Sequence, residues 1–206
     1  MTALRKRAAI MISGGGSNMA ALIAAGQAPD YPVDFVGVVS DRAGAGGLAR
    51  ARAAGLPAVA FERKDYPSKA AHEAAILAHL AGLDLDLICL AGYMRLLSAD
   101  FIGAWRGRIV NIHPSLLPLF PGLHTHQRAI DAGARLAGCS VHVVTEGVDE
   151  GPIVAQAAVP VLDGDTAETL AARVLKAEHG LYPAALRKIA GGEPTTDETA
   201  QLFSYG

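Results

Sequence analysis

The feature that most constrains this chain is a series of short apolar runs in its first half, each separated from the next by one helix-length stretch. The runs "AAIMIS" (8–13), "VDFVGVVS" (33–40), "PAVAF" (57–61) and "DLICLAG" (86–92) read as strands. Between them, 17–26, 46–55 and 68–82 carry helical patterning, and Gly26 and Gly55 close the first two. Strands joined by helices of about 10–15 residues make right-handed βαβ crossovers and a parallel sheet. The runs are continuous rather than alternating, as expected where helices cover both faces of the sheet.

The second half breaks this rhythm. "RIVNIH" (108–113) reads as a further strand and leads into a loop rich in proline and histidine, followed by a short helix around 124–132. The runs 139–146 and 152–161 are separated only by "GVDEG", too short for a crossover helix, so they form an antiparallel hairpin. Residues 165–190 have helical spacing, with Asp165 or Thr166 as N-cap ahead of Glu168 and a kink or break expected at Gly180 and Pro183. The fold class is therefore α/β and Rossmann-like: a mostly parallel twisted sheet, helices on both faces, and an antiparallel hairpin in the C-terminal half. One domain over 1–190 and a polar tail over 191–206 account for the chain.

With 51% hydrophobic and 18% charged residues, the 206-residue chain can bury a substantial core. A net charge of -2 and the lack of a basic run argue against nucleic acid as a partner. The apolar run Ala8–Ile12 is too short for a secretory leader, and no run approaches the roughly 18 residues of a membrane span. Cys89 and Cys139 both lie in apolar strands and read as buried thiols. Such sparse cysteine usage suits a reducing, cytoplasmic compartment.

Three constellations can carry chemistry. In "ISGGGSNMAAL" (12–22), a glycine turn leads from strand to helix, where backbone N–H groups can meet an anion at the positive helix end. No GK[ST] follows, and Gly14, Gly16 and Met19 miss the third glycine of the dinucleotide fingerprint. A phosphate loop, a plain tight turn and a nicotinamide site all remain open on spacing alone. In "NIHPSLL", Asn111 and His113 lie two apart at a strand's carboxyl end, so their side chains share one face where such sheets bind ligands. An amide beside an imidazole suits a developing oxyanion; a capping asparagine and a satisfied histidine is the plainer reading. In "TEGVDEGP", Asp149 and Glu150 occupy a turn and are either solvated or placed to raise the pKa of His113.

A metal site is disfavoured, because His113, His124 and His126 lack companion ligands at metal spacing and no HExxH occurs. His142, inside an apolar strand, reads as a core or pocket-lining residue. Ser115 has no G-x-S-x-G elbow around it.

Taken together, "ISGGGSNMAALI", "LAGYMRLLS", "IVNIHPSLLPLFPGLHTHQRAI", "GCSVHVVTEGVDEGPIVAQ" and "ARVLKAEHGLYPAAL", in this order, closely resemble the phosphoribosylglycinamide formyltransferase family. The likeness runs from about residue 8 to about 187. "SGGGSN" and "PGLHTH" point to this branch rather than to the methionyl-tRNA formyltransferases or formyl-tetrahydrofolate hydrolases. The resemblance implies a catalytic trio of Asn111, His113 and Asp149, with Gly16, Ser17, Asn18 and Glu178 holding the ribonucleotide. It implies a folate pocket built from Lys69, Met94, Arg95, Leu96 and Leu97, with Asn111 and the turn Thr145, Glu146, Gly147, Val148 and Asp149. The half 1–105 would then bind the phosphate and the half 106–190 the folate.

The implied reaction moves the formyl group of 10-formyltetrahydrofolate, a co-substrate, to the amine of glycinamide ribonucleotide without a metal. Asn111 and protonated His113 would stabilise the oxyanion, with Asp149 keeping His113 charged and helping to move the proton. A monomer or weak homodimer with no membrane or nucleic-acid partner is expected. The rivals are a formyl-folate hydrolase, a sugar-nucleotide formyltransferase and a non-catalytic nucleotide-binding module. One departure is Gly15, where the family loop often has a non-glycine; the extra freedom is worth about 0.5–1 kcal/mol of backbone order.

Overall fold

The computed structural model describes residues 5–191. Its strands β1 (Lys6–Ile12), β2 (Val33–Ser40), β3 (Ala58–Ala60), β4 (Leu87–Leu90), β5 (Ile109–His113), β6 (Leu136–Val143) and β7 (Ile153–Pro160) form one sheet in the order β3-β2-β1-β4-β5-β6-β7. Pairing is parallel from β3 through β5 and antiparallel for β5–β6 and β6–β7. The first crossovers step outward from β1 to β3, and the chain then returns to lay β4 on the other side of β1. Ligands of open parallel sheets bind where the order reverses in this way, beyond the carboxyl ends of the strands.

Side chains alternate across each strand, and both faces of β1 are buried. Ala8, Ile10 and Ile12 pack on one side with Met19 and Leu22 of α1 (Ser17–Gly26), Leu48 of α2 (Gly46–Ala53), Ala129 of α5 (Thr125–Asp131) and Leu170 of α6 (Ala167–Gly191). Ala9 and Met11 pack on the other with Ile76 and Leu80 of α3 (Lys69–Ala81) and Phe101 of α4 (Ala99–Ala104). Two helix-covered faces are what the unbroken apolar runs require. The edge strand β7 behaves differently, with exposed and buried positions interspersed.

Serines cap two helices: Ser68 Oγ accepts the Ala71 N–H and Ser98 Oγ accepts the Phe101 N–H. The six-residue α4 and a 3-10 turn at Arg63–Asp65 were not expected from sequence, since neither is long enough to display a hydrophobic period.

Of the kink or break expected in the last helix, the break is absent. Helix α6 runs unbroken through Gly180 and Pro183. Proline removes one backbone bond and costs about 3 kcal/mol in a helix interior, but here the flanking turns are anchored. Tyr182 is fully buried with its hydroxyl 2.9 Å from the Val110 carbonyl and 3.1 Å from that of Leu90. The Pro183 carbonyl accepts the Tyr31 hydroxyl at 2.9 Å. Gly191 is the last helical residue, and the rest of the polar tail expected over 191–206 lies outside the described residues. Among the described helices none is long and apolar enough to cross a membrane.

Candidate active site

At the carboxyl end of β1, residues 13–16 turn directly into α1. Gly16 is the N-cap with φ 71°, and no side chain caps the helix. A Cβ on Gly16 would lie 2.9 Å from Met19 Cε and 3.0 Å from Gly47 Cα, so both the backbone angle and the space demand glycine. Gly47, at the start of α2, donates its N–H to the Gly14 carbonyl at 3.0 Å and fixes the loop from beneath. Around Gly15, in contrast, a Cβ would meet nothing within 4 Å.

The loop floors a cavity of about 280 Å³ whose other walls are Arg42, Ala91, Gly92 and Met94. Arg42 is the one charged residue on that wall, and it lies two residues beyond the end of β2. Backbone amides at the positive end of α1 together with one guanidinium suit a phosphate. Asn18 Nδ2 donates to Glu178 Oε2 at 2.7 Å, which links the loop to α6. Burial raises the pKa of Glu178, with the Asn18 hydrogen bond opposing.

The second cluster lies at the end of β5. Antiparallel pairing sets Asn111 opposite His142 and His113 opposite Ser140. Asn111 Nδ2 lies 3.1 Å from His142 Nε2, while His142 Nδ1 lies 3.3 Å from the Val143 carbonyl. One N–H of Asn111 faces the His142 ring, which leaves the second for the cleft. Asp149, in the loop 144–152 with φ 56°, brings Oδ2 to 3.3 Å from His113 Nδ1 and Oδ1 to 3.6 Å from His142 Nε2. The same Oδ2 accepts the Gly122 N–H at 2.9 Å, tying the proline-rich loop to this turn. Asn111, His142, Asp149 and His113 thus form one connected chain of polar contacts.

Electrostatics corrects one expectation. The His113 pKa is lowered, not raised, because burial outweighs the Asp149 carboxylate, which pulls upward together with the Phe120 carbonyl. The Asp149 pKa is also lowered; burial acts upward, but bonds from His142 and the Gly122 N–H and the two nearby imidazoles outweigh it. The unperturbed pair therefore favours a carboxylate beside a neutral imidazole. His113 Nε2 lies 3.2 Å from the Phe120 carbonyl, and the ring is not among the residues that line the cleft.

That cleft, of about 300 Å³, is lined by Asn111, His142 and residues 144–149 on one side. Lys69, Arg95, Leu96 and Leu97 face it from the other. Lys69 Nζ is 3.7 Å from Glu73 Oε1. Met94 is placed differently: 64% exposed, it faces the glycine-loop cavity. The segment 91–97 therefore separates the two cavities, and it is fastened to β1. Ser13 Oγ accepts the Met94 N–H at 2.8 Å, and the Ser13 N–H donates to the Gly92 carbonyl at 3.1 Å.

His124 caps α5 with φ 57°, and burial lowers the pKa of His126; neither lines the cleft. Sequence reasoning offered Asp41 only as a ribose-binding acid and did not single out Arg42 or Tyr93, although Arg42 stands just past a strand's carboxyl end, where ligand contacts concentrate. Among the described residues no group of three metal-ligating side chains is arranged to hold an ion.

A family model described as formyl transferase matches residues 6–186. The trifunctional purine biosynthetic protein adenosine-3 of Drosophila pseudoobscura pseudoobscura is 50% identical over 190 residues, which are 91% of this chain and 14% of that relative. The chain thus spans a small part of the multifunctional relatives it matches. The phosphoribosylglycinamide formyltransferase of Bacillus subtilis is 42% identical over 186 residues, 90% of this chain and 95% of that one. The crystal structure of phosphoribosylglycinamide formyltransferase from Brucella melitensis superposes with a TM-score of 0.88 at 70% identity, covering 92% of this chain and 98% of the other.

Proposed function

The chain belongs to the formyl transferase family, and from that premise we propose that it moves the formyl group of 10-formyltetrahydrofolate to the amine of glycinamide ribonucleotide. The products are formylglycinamide ribonucleotide and tetrahydrofolate, in a step of purine biosynthesis. The observation that carries this reading is the adjacency of the two cavities. A phosphate-type loop and a folate-sized cleft share the 91–97 segment, and Asn111 and Asp149 lie on the cleft wall.

The phosphate is held by the amides of the 14–18 loop, with Gly16, Ser17 and Asn18 at the helix start and Arg42 as its counter-charge. Glu178, held by Asn18, contacts the ribonucleotide. The folate lies between Lys69, residues 94–97 and residues 145–149. Residues 1–190 act as one domain, with the phosphate side drawn mainly from 1–105 and the chemistry from 106–190. The enzyme works in the cytoplasm as a monomer or weak homodimer.

The neutral amine attacks the formyl carbon, a C–N bond forms, and the carbonyl electron pair moves onto oxygen. The free N–H of Asn111 donates to that oxyanion. His113 exchanges the Phe120 carbonyl for the same oxygen, and the growing negative charge favours its protonated form where burial alone opposes it. Asp149, through water, takes the proton released by the amine and returns it to the folate nitrogen as the old C–N bond breaks. An oxyanion donor is worth about 10²–10³ in rate, and positioned proton transfer about 10²–10⁴.

The test is spectroscopic release of tetrahydrofolate by the purified chain. Release that depends on glycinamide ribonucleotide is expected. Comparable release with a UDP-amino sugar, or with water alone, overturns the assignment.

A further inference from the structure

Asp41 immediately follows β2 and is 3% exposed, a costly place for a carboxylate. Its Oδ2 accepts from Arg95 Nε at 2.6 Å. Its Oδ1 is also buried and has no hydrogen-bond partner among the described residues. A pair built only for stability would be bidentate, with two parallel N–H···O bonds filling both oxygens. Here a single contact to Nε leaves Oδ1 unpaired and the terminal guanidinium nitrogens without a hydrogen bond among the described residues. Arg95, 40% exposed at its side chain, lines both the folate cleft and the adjoining cavity that it shares with Arg63 and Lys69.

We propose that Asp41 is a positioning residue: by gripping Nε it aims the terminal nitrogens of Arg95 at oxygen acceptors of the bound folate. The inference rests on the proposed reading of the cleft. Arg95 sits in a segment that flanks two cavities and ends in a flexible side chain, so without a fixed point its fork would sample many rotamers. Asp41 reaches it from across β1, from a strand that contributes nothing else to the folate wall. The arrangement gives the end of β2 a part in both substrate cavities, Arg42 facing the phosphate loop and Asp41 acting through Arg95 on the folate.

The test is calorimetric titration of tetrahydrofolate into wild type, Asp41→Ala, Arg95→Ala and the double variant, together with steady-state kinetics. Asp41→Ala is expected to weaken folate binding about five- to tenfold, within the usual coupling range of contacting residues. Arg95→Ala should weaken it by a similar factor, and the double variant should be no weaker than Arg95→Ala. In turnover the loss should fall on the KM for the folate rather than on kcat, and Asp41→Asn, which keeps an oxygen for Nε, should recover most of it. If Asp41→Ala does not fold, Asp41→Leu fills the same volume and serves in its place. Wild-type affinity in the Asp41 variant, or losses that multiply in the double variant, overturns the proposal. A wild-type chain that binds no tetrahydrofolate would instead refute the reading of the cleft.

Discussion

The two cavities on either side of residues 91–97 are built by opposite means. The phosphate side is backbone: one continuous glycine turn, a helix start and a single cation drawn from the next strand. The cleft side is side chains, gathered from β5, β6, the loop 144–152, α3 and the 91–97 segment. A backbone site tolerates changes of side chain but not the addition of a Cβ where the chain is cramped. A side-chain site keeps its fold through substitution yet loses function with a single atom.

The sharpest break in that comparison is Asp149→Asn, which is isosteric and should leave the fold intact while turnover falls about 10²–10⁴-fold. Stopped-flow or steady-state release of tetrahydrofolate measures it, and unchanged turnover removes Asp149 from the reaction. On the other side, Gly16→Ala forces a left-handed residue, worth about 1–2 kcal/mol, and drives a methyl against Met19. We expect a lower Tm and a KM for the ribonucleotide raised about tenfold or more. Arg42→Ala should be milder, since its partner charge would be partly solvated: about a fivefold rise in that KM. Inorganic phosphate should become a weaker competitive inhibitor by a similar factor, and an unchanged inhibition constant would take Arg42 off the phosphate.

Acid should expose the side-chain cluster selectively. Burial lowers the pKa of His113 and His126, so the folded state binds fewer protons than the unfolded chain near and below the ordinary histidine value of about 6.5. Stability from these groups is thus present above that pH and lost as pH falls through it. Urea titrations between pH 7.5 and 5.5 should show this decline, and His113→Asn should flatten it. Because the Asp149 carboxylate raises the His113 pKa against burial, Asp149→Asn should push the imidazole titration further down in NMR spectra. The smallest effect is Gly15→Ala, where open space and an ordinary backbone angle predict unchanged kinetics and a gain of about 0.4–1 kcal/mol; lost activity would show that the loop must flex there.

This division also explains what could be read from sequence. The sheet and the glycine turn were legible because each depends on neighbours in the chain, and Asn111 with His113 was legible because a strand's period of two puts them on one face. The meeting of Asp149 with His113 came from the family resemblance and not from spacing, since it depends on how the loop 144–152 folds back over β5; the approach of His142 to the same carboxylate was not legible, and the sign of the His113 shift depends on burial that no spacing reveals. The uninterrupted α6 escaped for a related reason. Local propensity argued for a break at Pro183, and the anchoring of Tyr182 against distant strands and of Pro183 by Tyr31, in the loop before β2, overrode it.

The contact between Gly47 and the Gly14 carbonyl has a consequence for protein engineering. The six letters SGGGSN look like a portable cassette, ready to be grafted onto any strand-to-helix junction. Their shape is borrowed from a second helix that arrives some thirty positions later and offers no side chain of its own. A transplant that carries the cassette but leaves this silent underlay behind would reproduce the motif and lose the cradle.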